Sequence, residues 1–345
     1  MLHLKKLGFG IIGAGAICPL HISAIEQCEG ARLAAIADIS EERACGIGEA
    51  KGIAWHTDYH QLLNDPDVDV VCILTPSGLR ARVCIDAARA GKHIIAEKPL
   101  EVTLEKVDSI IEACDKAQVN LAVIFQVRFL PGVIAVHKAV SEGRLGKLIL
   151  GDAYVKWHRA QDYYDSATWR GTWALDGGGA LMNQGIHYVD LLQWMLGPVQ
   201  SIFGHVDTLV KQRIEVEDTA VACMRFASGA LGVIEACTSA KTGVPARLEI
   251  RGEKGTVAIE DGNVVIWDVE GDEGFALETV DTGSGSTNPM AITDIGHQAQ
   301  ICDMVAAINE GRPPVVDGRE ARKAIEIISG IYRSSNTGSP IKLPL

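Results

Sequence analysis

Two textures of apolar residues divide the chain. From residue 7 to residue 127, short and nearly unbroken apolar runs alternate with segments of three-to-four-residue periodicity. Leu7–Gly13, Arg32–Asp38, Val68–Leu74, His93–Glu97 and Leu121–Val127 are the runs. They read as strands buried on both faces. Leu20–Gln27, Glu41–Lys51, Leu79–Ala90 and Leu104–Gln118 fall between them and read as helices. Strand–helix alternation of this kind gives a parallel sheet with right-handed crossovers, the doubly wound α/β (Rossmann) class.

Beyond Arg128 the texture changes. Gly132–Glu142 reads as one more helix and Leu148–Trp157 as a long alternating strand. A polar, aromatic stretch runs from His158 to Trp173, and Gly177-Gly178-Gly179 leads into a helix ending near Leu196. From Val199 to about Asp268, strand-like runs are punctuated by Ser228-Gly229 and Asp261-Gly262, which predicts an open antiparallel sheet. Residues 270–290 are rich in Gly, Asp and Ser and read as a surface loop, followed by helices over Asp294–Asn309 and Arg319–Ser334. The expected division is residues 1–126 and an α+β domain over 127–345 that includes the closing helices. An uncovered apolar sheet face is a natural surface for self-association, so a homodimer or homotetramer is expected.

A net charge of −12 removes general nucleic-acid binding, which needs a basic face to displace counterions. No apolar run approaches the ~20 residues of a membrane span. Met1–Gly13 enters a strand pattern without a leader-type apolar region, and the nine cysteines are scattered with no C-x-x-C pair. That usage fits reduced thiols in a cytoplasmic protein. No metal site is expected: His56 and His60 are four apart, but His56 ends a strand pattern, so the two need not share a face.

Three motifs carry chemistry. Gly13-Ala14-Gly15-Ala16-Ile17-Cys18 lies between the first strand and helix. There Gly13 permits the tight turn and Gly15 leaves room for a pyrophosphate against main-chain N–H groups. Asp38 ends the next strand 23 residues after Gly15, placed to accept hydrogen bonds from an adenosine ribose or to cap a helix. Ile39 and Ser40 follow it, with no arginine among them for a 2′-phosphate, which favours NAD over NADP. Glu97-Lys98-Pro99 ends the fifth run, at the strand ends where ligands of such sheets bind, although a surface lysine at a turn would look the same. Asn183, His187 and Asp190 fall at helical spacing and would share one face, which a satisfied core histidine could also explain. Cys18 sits near a helix N-terminus, which can lower a thiol pKa, but packing is the better reading.

In this order and spacing these residues resemble the Gfo/Idh/MocA family, named for glucose–fructose oxidoreductase and inositol dehydrogenase. The resemblance spans essentially the whole chain. It is carried by Gly13–Cys18, Leu74-Thr75-Pro76-Ser77, Ala90–His93 running into Glu97-Lys98-Pro99, Gly177–Leu192, and the tail from His297 to Tyr332. It implies an NAD-dependent dehydrogenase whose Lys98 and His187 flank the reacting carbon, with cofactor contacts at Gly13, Gly15, Ala16, Ile17, Asp38, Ile39, Thr75, Pro76, Glu97 and Lys98. Asn183 stands where many members have aspartate, which puts a three-residue proton relay in doubt, and Arg80 stands where many have histidine. Asp162-Tyr163-Tyr164, Trp169–Trp173 and Asn183–His187 are similar to dehydrogenases acting at C3 of UDP-N-acetylglucosaminuronate or related nucleotide sugars. That implies substrate contacts from Lys98, Arg128, Tyr164, Arg170, Asn183 and His187, with Tyr163 and Trp169 available to stack on a sugar. Polyol dehydrogenases, NAD-retaining sugar eliminases and cofactor-binding regulators share the fold and are the alternatives.

Overall fold

Mostly buried strands alternating with helices build the first part of the molecule. A computed structural model describes residues 6–272, 276, 279–286, 288 and 291–345. In chain order the elements are β1 (Leu7–Ile12), α1 (Cys18–Gln27), β2 (Ala31–Ala37), α2 (Glu41–Lys51), β3 (Ala54–His56), α3 (Tyr59–Leu63), β4 (Val70–Ile73), α4 (Arg80–Arg89), β5 (His93–Ala96), α5 (Leu104–Ala117) and β6 (Leu121–Val123). There follow α6 (Pro131–Ser141), β7 (Leu148–Lys156), α7 (Gln161–Asp165), α8 (Ile186–Leu196), β8 (Val199–Asp207), β9 (Thr219–Phe226), β10 (Leu231–Cys237), β11 (Arg247–Gly252), β12 (Gly255–Glu260), β13 (Asn263–Val269), α9 (Ile295–Glu310), α10 (Gly318–Thr337) and β14 (Ile341–Lys342). Side-chain caps at Ser40, Asp58 and Thr103 start α2, α3 and α5 by accepting the main-chain N–H groups left orphaned at a helix start.

The first sheet has six parallel strands in the order β3-β2-β1-β4-β5-β6. The chain crosses from β1 to β2 on one side and reaches β4 on the other, so the strand order reverses between β1 and β4. Ligand crevices of doubly wound sheets open at that reversal.

The unit built on this sheet comprises Met1–Gln126 and Asp294–Arg322. Here the structure differs from the sequence pattern, which placed both closing helices with the second half. The reason is apolar packing: Ile301, Met304 and Val305 of α9 join Phe9, Ile11, Cys18, Ile22 and Ile25 in one buried cluster. Gln300 fixes the register by accepting Phe125 N–H at 3.1 Å and donating to the Val123 carbonyl at 2.6 Å.

The second unit, Val127–Thr293 with Lys323–Leu345, holds an eight-stranded sheet in the order β13-β12-β11-β7-β10-β9-β8-β14. Every pair is antiparallel except β7–β10, which runs parallel. The sheet is the expected antiparallel one with a single parallel pair inside it. β7 and β10 are too far apart in sequence to be a hairpin, and α7 and α8 lie among the elements between them. α8 packs on β7 through Leu192 and Leu196, so closely that a Cβ at Gly151 would meet them at 2.9 and 2.7 Å. β9 alternates buried and exposed residues, with Val221 and Cys223 on the outward face. The expected surface loop over 270–290 lies partly outside the described residues. Of its described part, Gly285 and Ser286 are held by Arg159, so that stretch is anchored. No helix among the described residues is long and apolar enough to cross a membrane.

Candidate active site: a lysine turn and a histidine helix

The candidate residues of the first unit gather at the carboxyl ends of β1, β2, β4 and β5. Gly13 has φ +108°, and a Cβ there would stand 3.1 Å from the Leu74 main chain, so the turn needs glycine. A Cβ at Gly15 would meet nothing within 4 Å, leaving the N-terminus of α1 open. That end has no side-chain cap and carries Pro19 in its first turn, so the positive end of its dipole lies beside exposed Ala16 and half-buried Ile17. Thr75 adds a buried hydroxyl with no hydrogen-bond partner, next to Pro76. Open glycine, uncapped helix end and orphaned hydroxyl fit the phosphates and amide groups of a dinucleotide.

Asp38 accepts Ala14 N–H at 2.7 Å and Ser40 N–H at 2.8 Å, and pairs with Arg43 at 2.7 Å. Burial would raise its pKa, but these main-chain hydrogen bonds and the Arg43 guanidinium outweigh burial and hold it below the usual value. Ile39 beside it is 93% exposed. No arginine follows Asp38 directly, but Arg43, in the first turn of α2, reaches back to it. Cys18 is fully buried, and burial with the nearby Asp38 charge pushes its thiol up to about 11, which removes it as a nucleophile.

Lys98, half-buried, sits on a turn held at several points. Its main-chain N–H donates to Glu97 Oε2 at 3.1 Å. Glu97 Oε1 accepts His21 Nε2 at 2.9 Å and lies 3.7 Å from His297 Nε2, all three side chains being buried. Burial opposes the Glu97 charge, yet the two histidines hold its pKa well below normal. Burial lowers the His21 pKa against the pull of Glu97. From α4, the Arg80 guanidinium donates to the carbonyls of Glu97 (2.8 Å), Pro99 and Thr75 (3.0 Å). His21 and His297 were not legible as partners, being 276 residues apart in sequence. Among the described residues they and Glu97 are the group with ligand-like spacing for a metal, which the sequence pattern did not suggest.

In the second unit His187 lies on α8 and is 8% exposed. The preceding six residues, Ala180–Gly185, form a π-helical turn. Asn183 therefore lies in the π turn that precedes α8, while His187 and Asp190 lie on α8 itself. Asn183 Nδ2 instead donates to Asp176 Oδ1 at 2.9 Å, bringing a carboxylate to the position where asparagine replaces the family's aspartate. The turn is anchored by Glu217, which accepts the N–H groups of Gly179 (2.9 Å) and Leu181 (2.8 Å) and the Tyr332 hydroxyl (3.0 Å). Burial raises the Glu217 pKa to about 7, although these hydrogen bonds oppose the shift. A Cβ at Gly179 would collide with the Glu217 carbonyl oxygen, so this approach needs glycine.

Two expected substrate contacts turn out to be packed inside. Arg128 makes a two-pronged ion pair with Asp190 at 2.6 Å for each arm, with its guanidinium 4.7 Å from the Trp194 ring. Both side chains are essentially buried, so this pair accounts for the polar side of α8. Tyr164 is 4% exposed and bonds Thr238 Oγ1 at 2.8 Å. Arg170 and Tyr163 are half-buried: Nη1 bonds the Tyr163 hydroxyl at 2.6 Å, and the guanidinium stacks on the Tyr163 and Trp169 rings.

Residues 7–125 match the model of the oxidoreductase family with NAD-binding Rossmann fold, and residues 133–258 match that of the GFO/IDH/MocA C-terminal domain. Among solved structures the chain is similar to the WlbA dehydrogenase of Bordetella pertussis in complex with NADH and UDP-GlcNAcA. The two are 35% identical with TM-score 0.87, covering 99% of this chain and 100% of that one. The WlbA dehydrogenase of Chromobacterium violaceum, in complex with the same two molecules, is 32% identical with TM-score 0.88, covering 100% and 98%. Myo-inositol 2-dehydrogenase of Thermotoga maritima is 29% identical over 97% of this chain and 98% of its own length.

Proposed function

The chain belongs to the Gfo/Idh/MocA family of NAD-dependent oxidoreductases, and within that family we propose that it oxidises a secondary hydroxyl, C3 first, of a sugar acid or nucleotide sugar. The observation that carries this reading is the similarity, over essentially the whole chain, to dehydrogenases solved with UDP-GlcNAcA. Arg170 supports it: among the described residues its guanidinium stacks on rings and bonds a phenol rather than a carboxylate, which suits it to a substrate anion.

NAD, when bound, takes the hydride. Gly13–Ile17, Asp38–Ile39, Thr75–Pro76 and Glu97–Lys98 are the residues proposed to hold it. Lys98 binds the reacting hydroxyl and stabilises its developing negative charge, and His187 accepts the proton as general base. Asn183 cannot take that proton. It is held by Asp176 and orients the substrate instead. Arg128 and Tyr164 act from behind, through Asp190 and Thr238.

A polyol substrate is the second reading, favoured by the similarity to the Thermotoga maritima inositol dehydrogenase. A panel at fixed NAD, read by NADH absorbance, decides between them. UDP-N-acetylglucosaminuronate is expected to turn over faster than inositols, free hexoses or free uronates. Turnover confined to primary alcohols or acyclic hydroxy acids overturns both readings, and sugar conversion without free NADH indicates a retained cofactor. The outward face of the second sheet, with Val221 and Leu231 about half exposed, is proposed to bury itself in a homodimer or homotetramer. Light scattering at micromolar concentration tests this. The free cysteines support a cytoplasmic location.

A further inference from the structure

The main chain around Lys98 is gripped more heavily than a strand-end turn requires. One hydrogen bond closes an ordinary turn. Here the carbonyl before Lys98 and the carbonyl after it both receive the Arg80 guanidinium, while the N–H of Lys98 itself is taken by Glu97. The gripping groups are charged and buried: Arg80 is 6% exposed and Glu97 6%. Burying such groups is costly unless they are hydrogen-bonded, so their bonds to three consecutive residues are a substantial investment in one segment.

Glu97 is in turn fixed from two remote parts of the chain. His21 comes from α1 and His297 from α9, and both point Nε2 at the same carboxylate oxygen. The edge-on contact of the two rings, with centroids 5.4 Å apart, leaves neither free to turn without displacing the other. A metal ion is a poor occupant of this cluster. Metal-bound histidines hand their second nitrogen to a carboxylate or carbonyl, and here the Nδ1 atoms of His21 and His297 are buried with no hydrogen-bond partner.

We propose that Arg80 and Glu97, the latter held by His21 and His297, form a clamp of positioning residues that fixes the main chain on both sides of Lys98 and so the origin and direction of its side chain. The clamp explains why arginine is useful at position 80: its guanidinium serves three carbonyls at once, Thr75 from Nε and Glu97 and Pro99 from Nη1, where an imidazole has at most two N–H groups pointing in opposite directions. It also gives α9 a role in the first unit beyond filling its core. The functional side of the inference rests on the reading of Lys98 as a catalytic residue.

The test compares Arg80→Leu and His297→Leu with Arg80→Lys and His297→Gln, which each keep a donor, all in the full chain. Three quantities are measured: kcat and KM for sugar oxidation, NADH affinity by fluorescence titration, and the rate at which acetic anhydride acetylates Lys98 in cofactor-free protein. The last is read by peptide mass spectrometry against Lys92 and needs no turnover. The leucine variants should lose about 10- to 100-fold in kcat, the reach of a small misplacement, with KM and NADH affinity within about threefold. Lys98 acetylation should change by at least about threefold relative to Lys92, and the lysine and glutamine variants should recover most of both losses. Lys98→Met, assayed alongside, reports separately on the lysine: if it retains kcat, Lys98 is not catalytic, and acetylation alone then decides on the clamp. Unchanged Lys98 acetylation in the leucine variants overturns the proposal whether or not kcat falls, because any loss would then be general damage. One zinc ion per chain, taken up from Zn²⁺-containing buffer and lost in His297→Leu, overturns it as well, since the cluster would then be a metal site.

Discussion

The lysine turn of the first unit and the histidine helix of the second hold the two side chains proposed for catalysis in opposite ways. Around Lys98, Arg80 gives its hydrogen bonds to main-chain carbonyls, and Glu97 gives one oxygen to an N–H and the other to His21. Around His187 the charged groups meet side chains in larger part. Arg128 and Asp190 neutralise one another behind α8, and Asp176 is tied to Asn183. The first arrangement fixes where the chain runs. The second fixes how a distorted helix presents its face, leaving the main chain of the π turn to Glu217. A strand end is already positioned by its sheet and needs only its exit direction set, whereas a helix that begins in a π turn needs its rotation set.

The largest expected effects come from removing the two presented side chains. Lys98→Met and His187→Ala should each lower kcat by ~10²–10⁴, the usual contribution of a placed acid–base group. NADH affinity, followed by fluorescence, should hardly change in His187→Ala and should weaken modestly in Lys98→Met. Near-normal turnover in both would remove these residues from the chemistry and make a cofactor-binding regulator the better reading.

Next in size is the buried pair. Asp190→Asn leaves the Arg128 guanidinium buried without its counter-charge, which typically costs about 3–5 kcal/mol. Thermal unfolding should show the second unit destabilised, while Arg80→Lys, whose donors serve main-chain carbonyls, should cost less. Equal losses would erase the distinction between the two regions.

Glu217 supplies the pH test. Its folded pKa of about 7 lies above the ordinary 4.5. Below pH 4.5 the carboxyl is protonated folded or unfolded. Between 4.5 and about 7 only the unfolded chain releases the proton, so stability falls as pH rises through that window and levels off above it. The shift corresponds to about 3 kcal/mol. Glu217→Gln removes the titration, so the melting temperature of the wild type relative to the variant should be highest near pH 4 and decline to pH 8. A constant difference would mean that the folded carboxyl titrates where the unfolded one does.

How much of this was legible depended on how local the signal was. β1, β2, β4 and β5 were readable because parallel strands buried on both faces leave unbroken apolar runs. The turn from Gly13 to Ile17 was readable because its glycines and the following helix are contiguous. The pairing of α9 with the first unit was not, since an amphipathic helix does not say which apolar surface will cover it. The π turn was invisible for a related reason: Ala180–Gly185 has helical composition, and its extra residue per turn is imposed by Glu217 and the glycines packed against it. Arg128 was a substrate contact only by the family resemblance, and in the structure its guanidinium is taken by Asp190. The Glu97 cluster draws its histidines from both ends of the chain, beyond any spacing rule.

Cofactor choice gives the smallest effect and the closest look at the first unit's strategy. Asp38, too, spends its carboxylate on the main chain, taking the N–H groups of Ala14 and Ser40, and only then pairs with Arg43. The carboxylate would repel a 2′-phosphate, and it holds Arg43, which could otherwise receive one. Asp38→Asn removes the charge but keeps an oxygen for one of those N–H groups, so the glycine turn should survive. The ratio of kcat/KM for NADP to that for NAD should rise by about tenfold, equivalent to about 1.4 kcal/mol. Adding Arg43→Ala should cancel most of that gain, because the released guanidinium supplies the attraction while the lost carboxylate supplies only the end of repulsion. If the double variant keeps the whole gain, repulsion alone sets the preference and Arg43 serves only to hold Asp38. If neither variant moves the ratio, Asp38 does not read the ribose.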